Sequence, residues 1–401
     1  METVKKDKMF TSVSVGAATV WFSTHCGAGF ASGTQELQYF ANHGWWGPLF
    51  PILTIFIIAL TYYVGVETAR QINKYDYHAW SKEAYKPIGF VGSIFIDISI
   101  ALTVIAATAA VIAAGASLGT QQFGWPPIVG SLLMFAIITV LSIFGAKVVR
   151  NNAMIMTVGI IAIVLLVLIA GLIKFAPDIA RLFSERFTNP DAAKWSVTGA
   201  SDTVPANLGN SLLWALTYAG FQMGIIGASA ASFQGAKSKK ESKGFAVLGF
   251  ILNAVMLSGV TFLLLAGMPG IWQDEAAKTL PTLFMVNQLE MPILTFLYPI
   301  MLFLALVTTG VGLVFGLVER LNPYLFKGIK NEIGRKALLS IISIGVCWAV
   351  SLLGLMWVVA VAYKYLGILN WFFVILPLWF LGFKNIKARD NAAKETTTIR
   401  S

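Results

Sequence analysis

Charged residues are scarce in this chain. They make up 12% of its 401 residues, about half of the roughly 25% that is typical of soluble domains. Cysteine is scarcer still. Cys26 and Cys347 are the two cysteines, and both lie in apolar runs without a CxxC pair, which excludes a disulfide framework and a structural zinc site. Hydrophobic residues reach 57%, and the mean hydropathy is +0.74. This composition excludes a soluble enzyme, a disordered protein and a nucleic-acid-binding protein.

Long apolar runs take the place of the missing charge. The hydrocarbon core of a bilayer is about 30 Å thick, so a helix needs about 20 mostly apolar residues to cross it. Ten runs reach that length, and they occupy residues 10–42, 46–66, 88–115, 126–147, 153–174, 207–236, 244–267, 292–318, 337–357 and 360–382. We therefore predict an all-α integral membrane protein with ten transmembrane helices.

The distribution of lysine and arginine sets the orientation. Ten spans put both termini on one side of the membrane, and basic residues concentrate in cytoplasmic segments. With the termini in the cytoplasm, the external segments keep six of the 29 basic residues, namely Lys174, Arg181, Arg186, Lys194, Lys278 and Lys364. The sequence thus predicts a multi-pass protein of the cell membrane with cytoplasmic N- and C-termini. The net charge of +10 then reports topology, and we expect no nucleic-acid partner.

The first and sixth spans are long and interrupted by glycine. Residues 10–42 would form a helix of roughly 50 Å at 1.5 Å per residue, which is too long for one straight crossing, and their middle contains Gly27, Gly29 and Gly33. Residues 207–236 carry a similar glycine-rich middle. Such segments in matching positions of two halves indicate a transporter binding site. The alternative is that these glycines only allow close helix packing.

The connecting loops support two similar halves. The second and third spans of each half are joined by segments of about twenty residues, 67–87 and 268–291, which lie on opposite sides of the membrane because the halves are five spans apart. We therefore predict a single transporter domain, residues 1–401, built as a 5+5 inverted repeat with broken helices 1 and 6. This domain comprises a first repeat (9–175), a second repeat (206–383) and a cytoplasmic tail (384–401).

The segment Gly27-Ala28-Gly29-Phe30-Ala31-Ser32-Gly33, followed by Glu36, resembles the YkvI-like family of bacterial membrane proteins. The long, broken spans resemble the LeuT-type fold of the amino acid–polyamine–organocation superfamily. This resemblance covers nearly the whole chain as a fold and mainly span one as a motif. It implies secondary transport by alternating access, and it names no substrate.

The resemblance to sodium-coupled members also implies an ion site. Those proteins bind Na⁺ between backbone carbonyls of span one and a carbonyl and two adjacent hydroxyl residues of span eight. The matching positions here are Ser23, Cys26, Ala305, Thr308 and Thr309. The alternative is that both threonine hydroxyls bond back to their own helix. The resemblance implies no resident cofactor apart from Na⁺ as the coupling ion.

The two breaks predict the solute site. Free amides and unpaired carbonyls at helix ends carry partial charges, and in a membrane they must line a cavity or the protein interior. The candidate substrate-binding residues are Gly27, Ala28, Gly29, Phe30, Asp97, Trp214, Tyr218, Phe221 and Gln222. The aromatic members could bind a methylated ammonium through cation–π attraction, or they could be ordinary packing residues.

Asp97, Glu36 and His25 are titratable residues that lie within the spans. Asp97, expected near mid-depth of span three, could hold a substrate ammonium, titrate as a coupling group or only lock span three to a neighbour. Glu36 could line an outer vestibule or pair with another helix. His25 adjoins the first break, where it could titrate near neutral pH or be a packed histidine. We treat Glu36 and His25 as candidate proton-coupling residues.

These patterns predict a secondary active transporter and no enzyme. The predicted activity is Na⁺-coupled symport of a small zwitterionic or cationic organic solute, of the amino acid, amine or betaine class. A proton-coupled transporter and a membrane receptor or sensor with a transporter fold remain alternatives. The predicted partners are the lipid bilayer, the solute and Na⁺ or H⁺.

Overall fold

The structure, a computed structural model, describes residues 8–25, 27–198, 202–226, 231–322 and 324–400. Side chains are not described for Ala28, 77–78, 145–157 and 396–400. Most of the described chain is helical. The helices of the N-terminal half are α1 (Ser12–His25), α2 (Ala28–Ser32), α3 (Thr34–Tyr39), α4 (Phe50–Ile72), α5 (Tyr77–Ala84), α6 (Gly89–Phe123), α7 (Pro127–Val140), α8 (Ala146–Lys174) and α9 (Ala176–Ser184).

The C-terminal half is also helical, and a short strand pair precedes it. Strands β1 (Ala192–Ala193) and β2 (Thr203–Val204) pair in antiparallel fashion. The helices that follow are α10 (Leu208–Gln222), α11 (Lys239–Ala266), α12 (Gly270–Gln273), α13 (Glu275–Thr279), α14 (Pro281–Gln288), α15 (Pro292–Leu321), α16 (Glu332–Ser351), α17 (Leu355–Trp357), α18 (Tyr363–Asn370) and α19 (Phe383–Arg400). Short π-helical turns join α17, α18 and α19 into one long segment.

Seven helical segments of the described chain are long and apolar enough to cross a membrane. An eighth span results if Val158–Lys174 and Ala176–Ser184, which meet at 62°, are taken as one bent segment. Among the described residues, α1 and α10, which belong to the predicted spans one and six, have 14 and 15 residues and are too short to cross a membrane alone. The architecture is therefore the predicted all-α membrane protein, while the count of ten and the inverted repeat stay predictions. Span three is longer than predicted and ends at Phe123.

The two ends of the described chain meet on one face of the helical bundle. Thr11 donates a hydrogen bond to Glu241 at 2.8 Å, and Lys239, near Glu241, forms an ion pair with Asp390 of the C-terminal helix at 2.5 Å. Arg389 of the same helix contacts Glu83 at 3.5 Å. We call this side the terminal face. The other side, which carries 176–207 and 268–291, is the opposite face.

Span one is interrupted twice. Helix α1 ends at His25, and the Gly27 amide donates to the His25 carbonyl at 2.8 Å instead of to the carbonyl four residues back. The second interruption is Gly33, whose φ of 82° lies in the left-handed region that favours glycine. A Cβ at Gly33 would collide with the hydroxyl of Thr282. Helical structure thus resumes at once with α2, and α3 continues beyond Gly33.

Span six begins with a side-chain cap and packs closely on the last span. Asn207 accepts a hydrogen bond from the Asn210 amide at 2.9 Å, which satisfies one of the free amides of the first turn. A Cβ at Gly220 would collide with the carbonyl oxygen of Gly367, so glycine allows the two helices to approach. Helix α10 then ends at Gln222 and continues as a 3₁₀ turn, Met223–Ile225.

Candidate functional site

A small cavity lies between the interrupted regions of spans one and six. It has a volume of about 50 Å³. A buried water needs roughly 10–15 Å³ of such space, so the cavity has room for a few waters and none for an organic solute. We call it the central cavity, and its lining consists of Thr24, His25, Gly27, Gly29, Gln35, Thr103, Ala107, Phe221, Gln222, Ile225, Thr309, Leu313 and Tyr363.

Two buried polar groups of this lining have no hydrogen-bond partner among the described residues. They are the amide nitrogen of Gln35 and the hydroxyl of Thr103, whose side chains are 2% and 3% exposed. Buried polar groups are almost always paired with protein or water. Glycine permits this arrangement, because a Cβ at Gly29 would collide with the Gln35 side chain. The central cavity thus presents one donor and one hydroxyl to a polar ligand.

His25 links the two interrupted spans to α11. Its Nδ1 lies 2.7 Å from Oδ1 of Asn253, and its Nε2 lies 2.7 Å from the Tyr218 hydroxyl. Asn253 donates its amide to the Gly249 carbonyl at 2.7 Å, so its oxygen faces His25. The hydrogen-bond pattern therefore assigns the proton of a neutral His25 to Nδ1 and makes Nε2 the acceptor of the tyrosine hydroxyl.

An aromatic layer separates the central cavity from the opposite face. Phe221 stacks on Tyr363 with ring centroids 3.7 Å apart. Above this pair, Tyr39 meets Trp214 edge-on at 4.9 Å and Tyr218 at 5.6 Å. All five side chains are buried. The candidate residues Trp214, Tyr218 and Phe221 thus lie in one layer, which closes one side of the cavity and does not surround it.

Beyond the aromatic layer lies a second cavity of about 350 Å³, which we call the vestibule. Its lining comprises Gln38, Ala193, Lys194, Asp202, Thr203, Trp214, Trp272, Glu275, Lys278, Met356, Trp357, Ala360, Val361 and Lys364. Trp214 therefore faces the vestibule and not the central cavity. Its indole nitrogen donates to the Ala193 carbonyl at 2.8 Å, which fixes the ring beneath the strand pair.

The residues of the predicted sodium site are only partly brought together. Thr309 lines the central cavity with Gly27, and a Cβ at Gly27 would lie 3.7 Å from the Thr309 methyl group. Thr308 instead donates its hydroxyl to the carbonyls of Leu304 at 2.8 Å and Ala305 at 3.1 Å, which is the bonding of the alternative interpretation. Ser23 lies in the last turn of α1.

Several predicted residues lie elsewhere or outside the description. Cys26 lies outside the described residues, and for Ala28 only the backbone, at the start of α2, is described. Phe30 is buried next to His25, at 5.7 Å between ring centroids, and does not line the cavity. Gly27, Gly29, Phe221 and Gln222 are the predicted substrate-binding residues that the structure brings together around the central cavity.

The predicted position of Asp97 needs correction. Asp97 pairs with Arg320, which is near the end of α15, at 2.5 Å between Oδ1 and a guanidinium nitrogen. It does not line the central cavity; Thr103, six residues further along α6, does. Because α6 runs from Gly89 to Phe123, its midpoint lies near Thr103, and Asp97 lies closer to the terminal face. Of the three roles considered for Asp97, this contact corresponds to the lock between helices.

Glu36 is fully buried in α3. Neither of its carboxyl oxygens has a hydrogen-bond partner among the described residues. It lines neither the central cavity nor the vestibule, so of the two alternatives for Glu36 the structural role among the helices stays as a prediction. Burial of an ionised carboxylate without partners is very unfavourable, and this environment therefore suits the protonated acid.

The polar residues that sequence reasoning missed at the site include Gln35, Thr103, Asn253 and Tyr363. Thr103 and Asn253 are polar residues in the middle of long apolar spans, which is a usable signal. Gln35 follows the predicted break of span one closely enough to have been included. Tyr363 carried no signal, because its contact with Phe221 depends on how the last span packs against span six.

Solved transporter structures align with most of this chain. A Na⁺-coupled sialic acid symporter in a substrate-bound, outward-open state aligns with a TM-score of 0.58 at 14% identity, over 85% of this chain and 74% of the symporter. Mhp1 in an inward-facing conformation aligns with a TM-score of 0.59 at 12% identity, over 89% and 73%.

The chain has the LeuT-type fold. A manganese transporter from Eremococcus coleocola adds a TM-score of 0.54 at 15% identity, over 96% of this chain and 81% of that protein. These proteins are transporters and not enzymes. No protein-family model and no curated protein sequence matches the chain, so the YkvI-like family stays a prediction. Identities this low establish the fold alone.

Proposed function

We propose that this LeuT-type protein is a secondary active transporter that carries a small organic solute across the cell membrane together with Na⁺. The observation that supports this proposal most strongly is the central cavity. Two buried polar groups without a partner among the described residues, on Gln35 and Thr103, face it, and it lies where both interrupted spans meet. Unwound backbone and unsatisfied polar groups are tolerated in a membrane only around a binding site or a protein interior.

The lining of the central cavity favours a solute without net charge. It contains no Asp, Glu, Lys or Arg among the described residues. With Asp97 engaged by Arg320, no carboxylate is available there to neutralise an amine. A zwitterion brings both charges itself, so we propose an amino acid or betaine in preference to a simple amine. The stacked rings of Phe221 and Tyr363 provide an aromatic surface next to it.

Sodium would bind at the end of α1 beside Thr309. The Gly27 amide bonds to His25, so the last turn of α1 departs from helical bonding at this point, and Thr309 lies next to it. The ligands would be backbone carbonyls of Ser23, Cys26 and Ala305 with the hydroxyls of Thr308 and Thr309. The Thr308 hydroxyl can keep its hydrogen bond to its own helix, because the lone pairs of its oxygen remain for the ion.

The test is thermal stability of the purified protein in Na⁺ and in K⁺ at equal ionic strength, with amino acids, amines and betaines. A ligand at 100 times its Kd adds about 2.7 kcal/mol. Thr309→Val should abolish the sodium-dependent rise in melting temperature, and Gln35→Leu should weaken solute binding while sodium still stabilises. Gln121→Leu, an exposed glutamine away from the cavity, is the control. A full sodium response in Thr309→Val would contradict the ion site.

Proton coupling is the second candidate, and the burial of Glu36 favours it. A carboxyl group with no partner among the described residues must gain a proton before it is buried and lose it when it is exposed to water. If Glu36 couples transport to protons, uptake into proteoliposomes should follow a pH gradient without sodium, and Glu36→Gln should abolish that dependence. A sodium requirement that persists in Glu36→Gln would favour the first candidate.

A further inference from the structure

A third cavity, which we call the lateral groove, lies between α4 and α11. It has a volume of about 440 Å³ and shares no residue with the central cavity or the vestibule. Both helices belong to segments that are long and apolar enough to cross a membrane, and Phe56 and Val247 in the groove are 55% and 40% exposed. The groove therefore opens towards the lipid. Its lining consists of Met9, Phe56, Ala59, Leu60, Tyr63, Lys243, Ala246, Val247 and Phe250.

Each of the two helices lines the groove with one stripe of four residues. The stripes start at Phe56 on α4 and at Lys243 on α11, and both have the spacing i, i+3, i+4 and i+7 of a single helix face. Each stripe is roughly 10 Å long at 1.5 Å per residue. Ala59 and Ala246 are the second residues of the stripes, and their small side chains leave space between the larger neighbours.

The lateral groove is polar at one end only. Helix α4 ends at the terminal face and α11 begins there, since both bond to Asp390 of the C-terminal helix. Because the two helices run in opposite directions, Tyr63 and Lys243 lie at the terminal-face end of their stripes. Phe56 and Phe250 lie at the other end, where their ring centroids are 6.4 Å apart. This gradient matches a ligand with a polar end and an apolar body.

The polar end of the groove is positively charged. Lys243 is exposed and forms an ion pair with none of the described carboxylates. The carboxylates that neighbour α11 at this end are engaged within the protein, and they are Glu67, Glu241 and Asp390. Lys240 is also exposed, as is Lys8, which directly precedes Met9 of the groove. The charge of this end therefore complements an anionic group.

We propose that the lateral groove binds an anionic phospholipid, whose phosphate contacts Lys243 and whose acyl chain begins between the two stripes. In the predicted orientation the terminal face is cytoplasmic, and basic residues on that side attract anionic lipids. The groove follows the junction of α4 and α11, where Ser242 donates to Glu67 at 2.7 Å, so a bound lipid stabilises this junction. The inference goes beyond the proposed function and does not rest on it.

Native mass spectrometry of the full-length protein tests the headgroup, with phosphatidylglycerol and phosphatidylcholine of identical acyl chains as probes. We expect phosphatidylglycerol to bind at least about fivefold more tightly. Lys243→Met should weaken its binding about fivefold, since a basic residue near the membrane surface contributes about 1 kcal/mol and 1.4 kcal/mol corresponds to a factor of ten. Lys330→Met removes an exposed lysine from the connection between the predicted eighth and ninth spans, and it should change neither affinity.

A second variant tests the apolar part of the groove. Ala246→Leu fills the space between the stripes without a change in charge, so the binding of both phospholipids should fall. Val255→Leu enlarges a side chain of α11 that is 63% exposed and outside the groove, and it should leave both affinities unchanged. Inorganic phosphate is the third probe, and it should not displace phosphatidylglycerol, because it lacks the acyl chain.

Five results would overturn the inference. They are equal binding of the two phospholipids, unchanged phosphatidylglycerol binding in Lys243→Met, an equal loss in Lys330→Met, unchanged binding in Ala246→Leu, and displacement of the lipid by inorganic phosphate. If one variant fails to fold, the other variant and the two phospholipids on the wild-type protein still decide. The proposed function stands or falls separately, because Lys243 and Ala246 lie outside the central cavity and the sodium site.

Discussion

Removal of the Tyr218 hydroxyl isolates the hydrogen bond that joins the two interrupted spans. The His25 Nε2 and the Tyr218 hydroxyl are 2.7 Å apart, and both side chains are buried. Because Oδ1 of Asn253 accepts a hydrogen bond from the protonated Nδ1, Nε2 is an acceptor that needs the tyrosine as its donor. Tyr218→Phe keeps the ring and its contacts with Tyr39 and Phe40 but leaves this acceptor buried and unpaired.

The expected loss follows from that unpaired acceptor. Leaving a buried polar group without its partner costs about 1–3 kcal/mol, and the free energy of unfolding should fall by this amount in Tyr218→Phe. In a His25→Leu background this bond is already absent, so removal of the hydroxyl should cost less than it does in the wild-type protein. The coupling between the two positions should therefore reach about 1–3 kcal/mol.

Equilibrium unfolding in mixed micelles, followed by tryptophan fluorescence, measures all four members of this double-mutant cycle. Tyr365→Phe is the matched control, because its hydroxyl bonds the Val197 carbonyl at 2.6 Å on a side chain that is 43% exposed. That control should change the free energy of unfolding by less than about 0.5 kcal/mol. Equal costs of Tyr218→Phe in both backgrounds would refute the assigned hydrogen bond and the tautomer of His25.

Two further substitutions test the packing and the position of Asp97. Gly220→Ala places a methyl group against a backbone carbonyl of the last span and should lower the free energy of unfolding by about 1–3 kcal/mol. Gly312→Ala, with open space around it, should leave this free energy unchanged or raise it by up to about 1 kcal/mol. Melting temperatures of the two variants test this difference. Asp97→Asn should lower the melting temperature through loss of the Arg320 pair yet leave sodium and solute affinities unchanged, and a loss of solute binding would restore Asp97 to the binding site.

Glycine made the break of span one predictable, but tertiary contacts set where the helix resumes. The structure resumes helix at Ala28 and bends again at Gly33, because Thr282 packs against Gly33. Thr282 belongs to the segment 268–291, and nothing within span one indicates that it lies there. Local sequence predicts an interruption, and the neighbouring segment decides its shape.

The sequence predicted the span that contains Asp97 better than the depth of Asp97 in the membrane. The apolar run of span three ends near residue 115, so Asp97 seemed central, but α6 continues through Gln121 and Gln122 to Phe123. A helix carries polar residues beyond the apolar run when another segment contacts them, and Gln121 donates to the Ala276 carbonyl at 2.8 Å. The midpoint moves towards Thr103, which replaces Asp97 at the cavity.

The central cavity of about 50 Å³ must enlarge before it admits a solute, and the stack of Phe221 on Tyr363 closes it on the vestibule side. An aromatic pair of this kind contributes about 0.5–1.5 kcal/mol, so Tyr363→Ala should raise the open population by up to about tenfold, since 1.4 kcal/mol corresponds to a factor of ten. A Thr103→Cys reporter in a chain without its two native cysteines measures this opening.

A membrane-impermeant thiol reagent applied to the opposite face should modify the reporter at Thr103 up to about tenfold faster when Tyr363→Ala is present. Tyr365→Ala removes a neighbouring ring that takes no part in the stack, and it should leave the rate unchanged. Transported solute should slow the modification in either background, because it occupies the same space. Equal rates with and without Tyr363 would place the barrier to the vestibule elsewhere, at the layer formed by Tyr39, Trp214 and Tyr218, and would refute the gating role of the stack.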